Sequence, residues 1–513
     1  MVASSTALGR QDIRWASGLA GFGFRLACTV AGPALLSLAF PPFDVGPIAL
    51  IALVPLFLLW SKLTWKQAFW WGWLAGILMF LTILYWTSIT IFEFVGAWSS
   101  LALTLLCAIE GFAVAATAVS AALVGKGAFR LGSIFGVPAA WVIFESIRTN
   151  GSLGVPFGQL GLVASHVPWL LPIAALGGVY ILTAVVALAN GAVAAILIGS
   201  RSLRIAGAVV LGLLAVIVGI SNTRRVDALA PATLRVAIAQ GNIEQDVKWT
   251  PQVFAQSQKI YANMTREAAS RGARVVVWPE TAITTSAPQD RMLLQKLTGL
   301  AASTHVWMLA GTIDTPTPQG YYNALIDLTP QGSVSGIYHK HWLVPFAEYL
   351  PFANLLRRFP IMDQASTFLA GLGPHVLSAG GYSWGPLICY ESAFAPYARA
   401  TVNAGADVIV IATDDAWFNS TPEPYQHADI AAVQAVATGR WIVRAASTGI
   451  SEIINPHGVI VSALGVGQRG IVMGNIGQGI QTPYDRYGAA WLITLCLVVL
   501  ASGIIVARVR HTA

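Results

Sequence analysis

The sequence predicts an α/β layered domain inserted in a polytopic bundle of about eight transmembrane helices. Composition is the first ground: of 513 residues, 56% are hydrophobic and only 10% charged, against roughly 25% charged in soluble domains. Charge placement is the second. Residues 222–487 hold 18 Lys+Arg and 18 Asp+Glu, while the remainder holds 12 basic and 5 acidic residues and so the whole net charge of +7. Third, long apolar runs fill 1–221 and return in 488–513, whereas the middle alternates short strands with helices. A wholly soluble enzyme and a disordered chain are both excluded. A basic balance can mark a nucleic-acid partner, but 18 Trp, 21 Phe and few Lys point to a membrane, and no nucleic acid is expected.

The apolar runs lie near 25–40, 46–60, 68–90, 98–124, 132–147, 168–199, 204–221 and 488–507. Several approach the roughly 20 residues that cross a bilayer core as a helix. Pro33, Pro41, Pro42 and Pro47 shorten the first two. A signal peptide over 10–40 is disfavoured, because more spans follow at once and Pro41-Pro42 replaces a small-residue cleavage site. The expected organisation is about seven membrane helices in 1–221, an outer domain over 222–487, and a last helix with its tail in 488–513. Arg10, Arg14, Arg25, Lys62, Lys66, Lys126, Arg130, Arg201, Arg204, Arg508 and Arg510 fall in alternate loops or at the termini, and only Arg148 falls on the other side. By the positive-inside rule both termini are cytoplasmic and the middle domain extracytoplasmic. Arg224 and Arg225 run against the rule, to which long translocated domains are largely insensitive.

Within the middle domain, Leu234–Gln240 is an apolar strand running into Gln240-Gly241-Asn242. A helix over 252–270, a Val-rich strand over Arg274–Glu280 and a strand over Val306–Ile313 follow. Hairpins pair 322–328 with 334–340 and 451–455 with 458–462, turning at Gln331-Gly332 and His457-Gly458. Strands near 384–390 and 407–413, a helix over 426–439 and a strand over 441–446 complete the series. Strands apolar on both faces require helices over the sheet, hence the layered α/β architecture.

Of the four cysteines, Cys28, Cys107 and Cys496 fall in predicted membrane helices, which leaves Cys389 alone in the outer domain with no disulfide partner. An inert buried thiol and a nucleophile are both open readings of it. It ends an apolar run, beside Tyr390 and Glu391, where α/β sheets place reactive groups. Glu280 after Trp278-Pro279, Lys340 at the end of a hairpin, and Glu348 also sit at or near strand ends. Singly, each charge suits a solvated surface. Together they form a set for covalent catalysis: a thiol needs a base or cation to ionise, Glu can take the proton, and Lys can hold an oxyanion.

Trp278-Pro279-Glu280, Lys340 within His339–Pro351, and Ile388-Cys389-Tyr390-Glu391 resemble the Glu-Lys-Cys triad motifs of the nitrilase (carbon–nitrogen hydrolase) superfamily. With the spans before and after the domain, essentially the whole chain is similar to its bacterial apolipoprotein N-acyltransferase family. Gln240-Gly241-Asn242 with Trp249, Tyr322-Asn323-Ala324 and Asp414-Asp415-Ala416-Trp417-Phe418 match as well. The resemblance implies a nitrilase-like αββα sandwich, with Cys389 as nucleophile, Glu280 as general base and Lys340 as oxyanion stabiliser. It implies supporting or substrate-binding roles for Trp249, Asn323, Glu348, Tyr390 and Glu391. Ala347 and Asn419 replace glycines usual in the family, and Asp414 stands where Asn is common; none of these departures touches the triad.

The reaction so implied is two-step acyl transfer through a Cys389 thioester, from a phospholipid donor to the α-amino group of a diacylglyceryl lipoprotein acceptor, with ping-pong kinetics. It implies a monomer in the inner membrane of a Gram-negative bacterium, with no cofactor. No metal is expected, because His427, Asp414 and Asp415 lack ligand spacing with other His or Cys. The apolar stretch 352–373, including Phe359, reads equally as a membrane-dipping lid or an ordinary covering helix. Glu145 and Arg148 read as an ion pair near the outer interface, neither Glu110 nor Glu145 as catalytic, and Gly154–Gly161 resembles an arm that approaches the active site. A membrane-tethered amidase shares the triad, but the spans favour a lipid substrate. A transporter predicts more polar residues at mid-membrane than Glu110 and Glu145.

Overall fold

The computed structural model describes residues 18–223, 229–356, 358, 368–418 and 421–512. Among them, Trp98–Gly125, Leu131–Arg148, Leu171–Ile198, Arg201–Thr223 and Ala490–Val509 are long and apolar enough to cross a bilayer, and Trp65–Ile83 with Trp86–Glu93, bent by 61°, makes a sixth span if counted as one. The runs near 25–40 and 46–60 correspond to the helix Gly18–Ser37, which carries Pro33, and to the short apolar helix Gly46–Trp60.

That short helix breaks at Leu53, just ahead of Pro55. The amide of Asn190 replaces the helical bond lost there: Leu53 N–H donates to Asn190 Oδ1 (2.8 Å) and Asn190 Nδ2 donates to Ala49 O (2.7 Å). A break inside a bundle without water has to be satisfied by protein in this way. Elsewhere glycine lets backbones touch; a Cβ on Gly76 would lie 2.7 Å from Gly111 Cα, where the 65–83 and 98–125 helices cross,.

The domain that follows the long apolar helices is a pair of sheets between helices. One sheet contains β1 (Leu234–Gln240), β2 (Val275–Val277), β3 (Ile283–Ser286), β4 (Trp307–Thr317), β5 (Gly320–Leu328), β6 (Val334–His339) and β13 (Gly470–Ile476), in the order β13-β1-β2-β4-β5-β6 with β3 beside β4. The other runs β12-β11-β10-β9-β8-β7 through β7 (Leu377–Ala379), β8 (Tyr382–Ile388), β9 (Val408–Thr413), β10 (Trp441–Ala446), β11 (Ser451–Ile454) and β12 (Ile460–Leu464). β1, β2 and β4 are parallel, as are β8, β9 and β10. Alternation along each strand builds the layers. Val236 and Ile238 meet Val408 and Val410 between the sheets. Ala237 and Ala239 turn outward to Tyr261 and Ala268 of the helix Pro251–Ser270, while Ile409 and Ile411 pack on the helices Ala395–Asn403 and Glu423–Thr438. The result is an αββα sandwich.

Helix 423–438 is also the joint with the bundle, for its Val433, Val436 and Ala437 share a core with the membrane helices. Gln426 reaches the bend between residues 83 and 86, donating from Nε2 to Ile83 O (3.0 Å) and accepting from Trp86 Nε1 (3.3 Å).

Replacing Asn190 by Leu strands Leu53 N–H and Ala49 O, at a cost of about 1–3 kcal/mol for each buried group left unpaired. The detergent-solubilised variant is therefore expected to unfold at lower temperature than the parent; an unchanged midpoint contradicts this account of the break.

Candidate active site

Three strand ends and a hairpin strand meet at one point. The loop after β2 is anchored by Trp278, whose Nε1 donates to Thr265 Oγ1 (2.9 Å) and whose ring stacks on Tyr261. Gly311 of β4 passes behind it so closely that a Cβ there would lie 2.1 Å from Pro279 O. This fixes Glu280, whose Oε1 accepts from Asn323 Nδ2 (2.6 Å) and whose Oε2 accepts from the backbone N–H of Asp414 (2.8 Å). Lys340 extends β6 by one residue, donating its N–H to Asn323 O (2.8 Å). Its buried Nζ donates to Glu348 Oε1 at 2.8 Å and lies 3.5 Å from Glu280 Oε1. Glu348 is held in turn by Val344 N–H (2.7 Å) and Asn323 Nδ2 (3.4 Å).

Cys389 is the first residue beyond β8 and has φ +51°, a left-handed conformation that costs a non-glycine residue about 1–3 kcal/mol. Glu391 braces the turn: its Oε2 accepts from Ile388 N–H (2.7 Å) and its Oε1 from His341 N–H (2.6 Å), while Tyr338 hydroxyl donates to it at 2.9 Å. Glu391 therefore ties the nucleophile loop to the backbone just after Lys340. Tyr390 hydroxyl donates to Gly154 O (2.5 Å), so the 154–161 arm does reach the residue beside Cys389.

Burial pushes the Glu280 carboxyl up; Lys340 opposes this, and Glu348 and Asp414 reinforce it. Burial works against the charge on Lys340, but Glu348, Glu280 and Cys389 outweigh it and hold the ammonium above its usual range. The Cys389 thiol is pushed far up by burial and by Glu280, with Lys340 pulling it down. The resting site is thus a neutral thiol beside a raised carboxyl and a fixed cation. That arrangement suits proton abstraction, nucleophilic attack and capture of an oxyanion.

A second buried cluster underlies Cys389. Ser392 Oγ donates to Cys389 O (2.8 Å), and with its one hydrogen so committed it accepts from His427 Nε2 (2.7 Å). His427 Nδ1 faces Asp415 Oδ1 and Glu423 Oε1 at 3.5 and 3.6 Å, and Arg444 Nη2 donates to Asp415 Oδ2 (2.9 Å). Burial opposes ionisation of Asp415, yet Arg444 and His427 outweigh it and hold its pKa low. Burial and Asp415 push Glu423 far up, and burial and Arg444 hold His427 low. Ligand atoms of Asp415, Glu423 and His427 lie within 4.8 Å of one another, a grouping that spacing to other His or Cys misses because Glu423 is a carboxylate one helical turn before His427. Arg444 already supplies the cluster's positive charge.

The structure brings Glu280, Asn323, Lys340, Glu348, Cys389, Tyr390 and Glu391 together. Trp249 stands further out and is 49% exposed. With its amide oriented to satisfy both neighbours, Gln245 accepts from Trp249 Nε1 and donates to Asp414 Oδ2, each at 2.9 Å. Sequence reasoning missed Lys248, Thr281, Ser392 and Arg444. Only Arg444, a charge inside the apolar run Trp441–Ala446, left a readable signal. Of the 352–373 stretch, residues 357 and 359–367 with Phe359 lie outside the described residues, as does Asn419. The return leg at Phe368 packs on Tyr321 and donates its N–H to Glu348 O (3.1 Å). Arg148 lies nearer Glu110 (3.1 Å) than Glu145 (3.7 Å), so the expected pair is a triad.

The carbon-nitrogen hydrolase family model matches residues 235–482, and that of the apolipoprotein N-acyltransferase N-terminal domain matches residues 32–192. Similar relatives include the apolipoprotein N-acyltransferases of Pseudomonas syringae pv. tomato (30% identical, covering 98% of this chain and 100% of that one) and of Geobacter metallireducens (31%, 91% and 93%). That of Methylococcus capsulatus is 32% identical over 94% of this chain and 96% of its own. Among solved structures, an amidase from Nesterenkonia is 20% identical with a TM-score of 0.40, over 51% of this chain and 99% of its own.

Arg444→Met leaves Asp415 charged and unpaired in the interior and is expected to destabilise the protein by about 3–5 kcal/mol. Adding Asp415→Asn should recover part of that loss in unfolding measurements on the purified protein. No recovery in the double variant contradicts the pairing.

Proposed function

The chain belongs to the apolipoprotein N-acyltransferase family, and from that premise we propose that Cys389, Glu280 and Lys340 transfer an acyl chain from a phospholipid to the α-amino group of a diacylglyceryl-modified N-terminal Cys. The observation carrying the assignment is the convergence of one thiol, one raised carboxyl and one buried ammonium from beyond the ends of β8, β2 and β6.

In the first half-reaction Glu280 takes the Cys389 proton and the thiolate attacks the ester carbonyl. Lys340 faces the oxyanion, the C–O bond breaks, and the lysophospholipid leaves with the proton returned by Glu280. In the second, the lipoprotein amine attacks the thioester, the C–S bond breaks, and Glu280 moves the amine's proton to the departing thiolate. Asn323 and Glu348 orient the base and the cation, while Glu391 and Tyr390 set the nucleophile loop against the 154–161 arm. Trp249 is positioned to meet substrate at the rim.

We place the catalytic unit, residues 222–487, on the outer face of the inner membrane, between membrane helices in 1–221 and 488–513, with both termini cytoplasmic and the chain acting as a monomer. The helix Leu131–Arg148 supports this orientation, since it separates Arg130 at one end from Arg148 and the Gly154 arm at the other. Both substrates carry acyl chains whose extraction from lipid costs about 0.8 kcal/mol per CH₂, so a site against the leaflet lowers the barrier to binding either one.

Purified protein incubated with acyl-labelled phospholipid is expected to acquire a thioester on Cys389, absent in Cys389→Ala and discharged by a diacylglyceryl peptide with a free amine. Turnover of small amides without label on Cys389 reverses the assignment. Because Glu280 is raised, and is protonated and inactive as a base below its pKa, activity should fall on the acid side above the ordinary Glu range. Glu280→Gln should remove that limb and lower the rate by about 10²–10⁴-fold.

A further inference from the structure

Lys248 is the second buried lysine near Glu280, and the triad chemistry does not use it. It ends the short turn Gln245–Lys248, yet its side chain is only 4% exposed. Its Nζ donates to Asp414 Oδ2 (2.5 Å) and to Thr281 Oγ1 (2.6 Å). These partners flank Glu280 on both sides. Thr281 is the next residue in the chain and takes φ +45°, a conformation that a β-branched residue rarely adopts,. Asp414 is the residue whose backbone N–H donates to Glu280 Oε2 (2.8 Å). One ammonium therefore clamps the two loops that hold the general base.

We infer that Lys248 and Asp414 are a charge-matched positioning pair that sets both the place and the proton affinity of Glu280. An Asn at 414 would keep the backbone donor to Glu280 without the charge, so the carboxylate here is matched by the lysine opposite it. The charged or titratable groups around Glu280 are Lys340, Glu348, Asp414, the Cys389 thiol and, behind Asp414 and Thr281, Lys248. Of these Asp414 alone carries a private counter-ion on its far side, and its negative charge raises Glu280. Removing either member of the pair should therefore move Glu280 in opposite directions. Lys248→Met leaves an unbalanced carboxylate that raises Glu280 further, whereas Asp414→Asn leaves an unbalanced ammonium that lowers it. A purely structural role for the pair has no reason to produce opposite signs.

The inference rests on Glu280 acting as the base for Cys389, and the test separates the two. Full-length protein in detergent is alkylated with iodoacetamide over a pH series, and the Cys389 peptide is quantified by mass spectrometry, which requires no acyl substrate. Size-exclusion profiles establish that each variant is folded. The acid limb of the alkylation rate is expected about one pH unit higher in Lys248→Met, about one unit lower in Asp414→Asn, and near the parent in the double variant. The maximal rate of the double variant should remain reduced through loss of the Thr281 bond. A limb that Glu280→Gln abolishes but that stays put, or moves the same way, in both single variants overturns the pair. A limb that Glu280→Gln leaves intact overturns the base assignment, and the pair falls with it.

Discussion

A lysine ammonium that is 1% exposed is the constraint around which this site is built. Taking such a charge out of water costs several kcal/mol unless it is matched and hydrogen-bonded, and Lys340 meets that cost with Glu348 and Glu280. The match has consequences. Two carboxylates beside one cation leave an excess of negative charge, so Glu280 also needs neutral donors, which Asn323 and the Asp414 backbone provide. Those donors come from β5 and the end of β9, which belong to different sheets. The site can therefore exist only where the two sheets of the sandwich face each other at their strand ends. Burial first, and Glu280 after it, push the Cys389 thiol up, so a thiolate there would need a base to take its proton.

The joint between the two parts of the chain follows a similar logic. The bend at residues 83–86 exposes a backbone carbonyl inside the bundle, and Gln426 of the catalytic unit satisfies it. The next residue along that helix, His427, bonds Ser392, which bonds the Cys389 carbonyl. A turn of one helix thus links a bent membrane span to the strained Cys389 loop through side chains that are all buried. The sandwich domain is anchored in the bundle by hydrogen bonds as well as by apolar packing.

Much of this architecture was legible in the sequence because it depends on local pattern. The strands around Leu234–Gln240, 407–413 and 441–446 announce themselves by β-branched apolar runs, and the hairpin turns by glycine at φ > 0 in Gly332 and Gly458. Glu280, Lys340 and Cys389 stood out as polar residues at the ends of such runs. The short strands β3 and β7 did not, because three or four residues carry little periodicity, and neither did the seven-residue β13, which is defined by pairing with β1, over 200 positions earlier in the chain. Lys248 was invisible for another reason. In sequence it is a charge in a polar turn, Glu244–Lys248, and only the approach of Asp414 and Thr281 buries it. Arg148 and Glu110, 38 residues apart, pair for the same reason: a charge's partner is set by tertiary packing rather than by spacing along a helix.

The choice between hydrolysis and transfer is made by what surrounds the thioester. A hydrolase must admit water to the acyl-enzyme; an acyltransferase must hold it off until an amine arrives. Here Glu280 and Lys340 are buried, Cys389 is only partly exposed, and the 154–161 arm leans on Tyr390. Phe346 and Phe352, on either side of Glu348 in the chain, Leu372 next to Gly371, and Trp417 after Asp415 expose apolar surface that would be a liability in water,. Against a bilayer the same surface is an asset. The sandwich and the triad suit many carbon–nitrogen reactions. In this chain they are attached through the 423–438 helix to a bundle of helices long and apolar enough to cross a membrane, which a small soluble hydrolase has no need of.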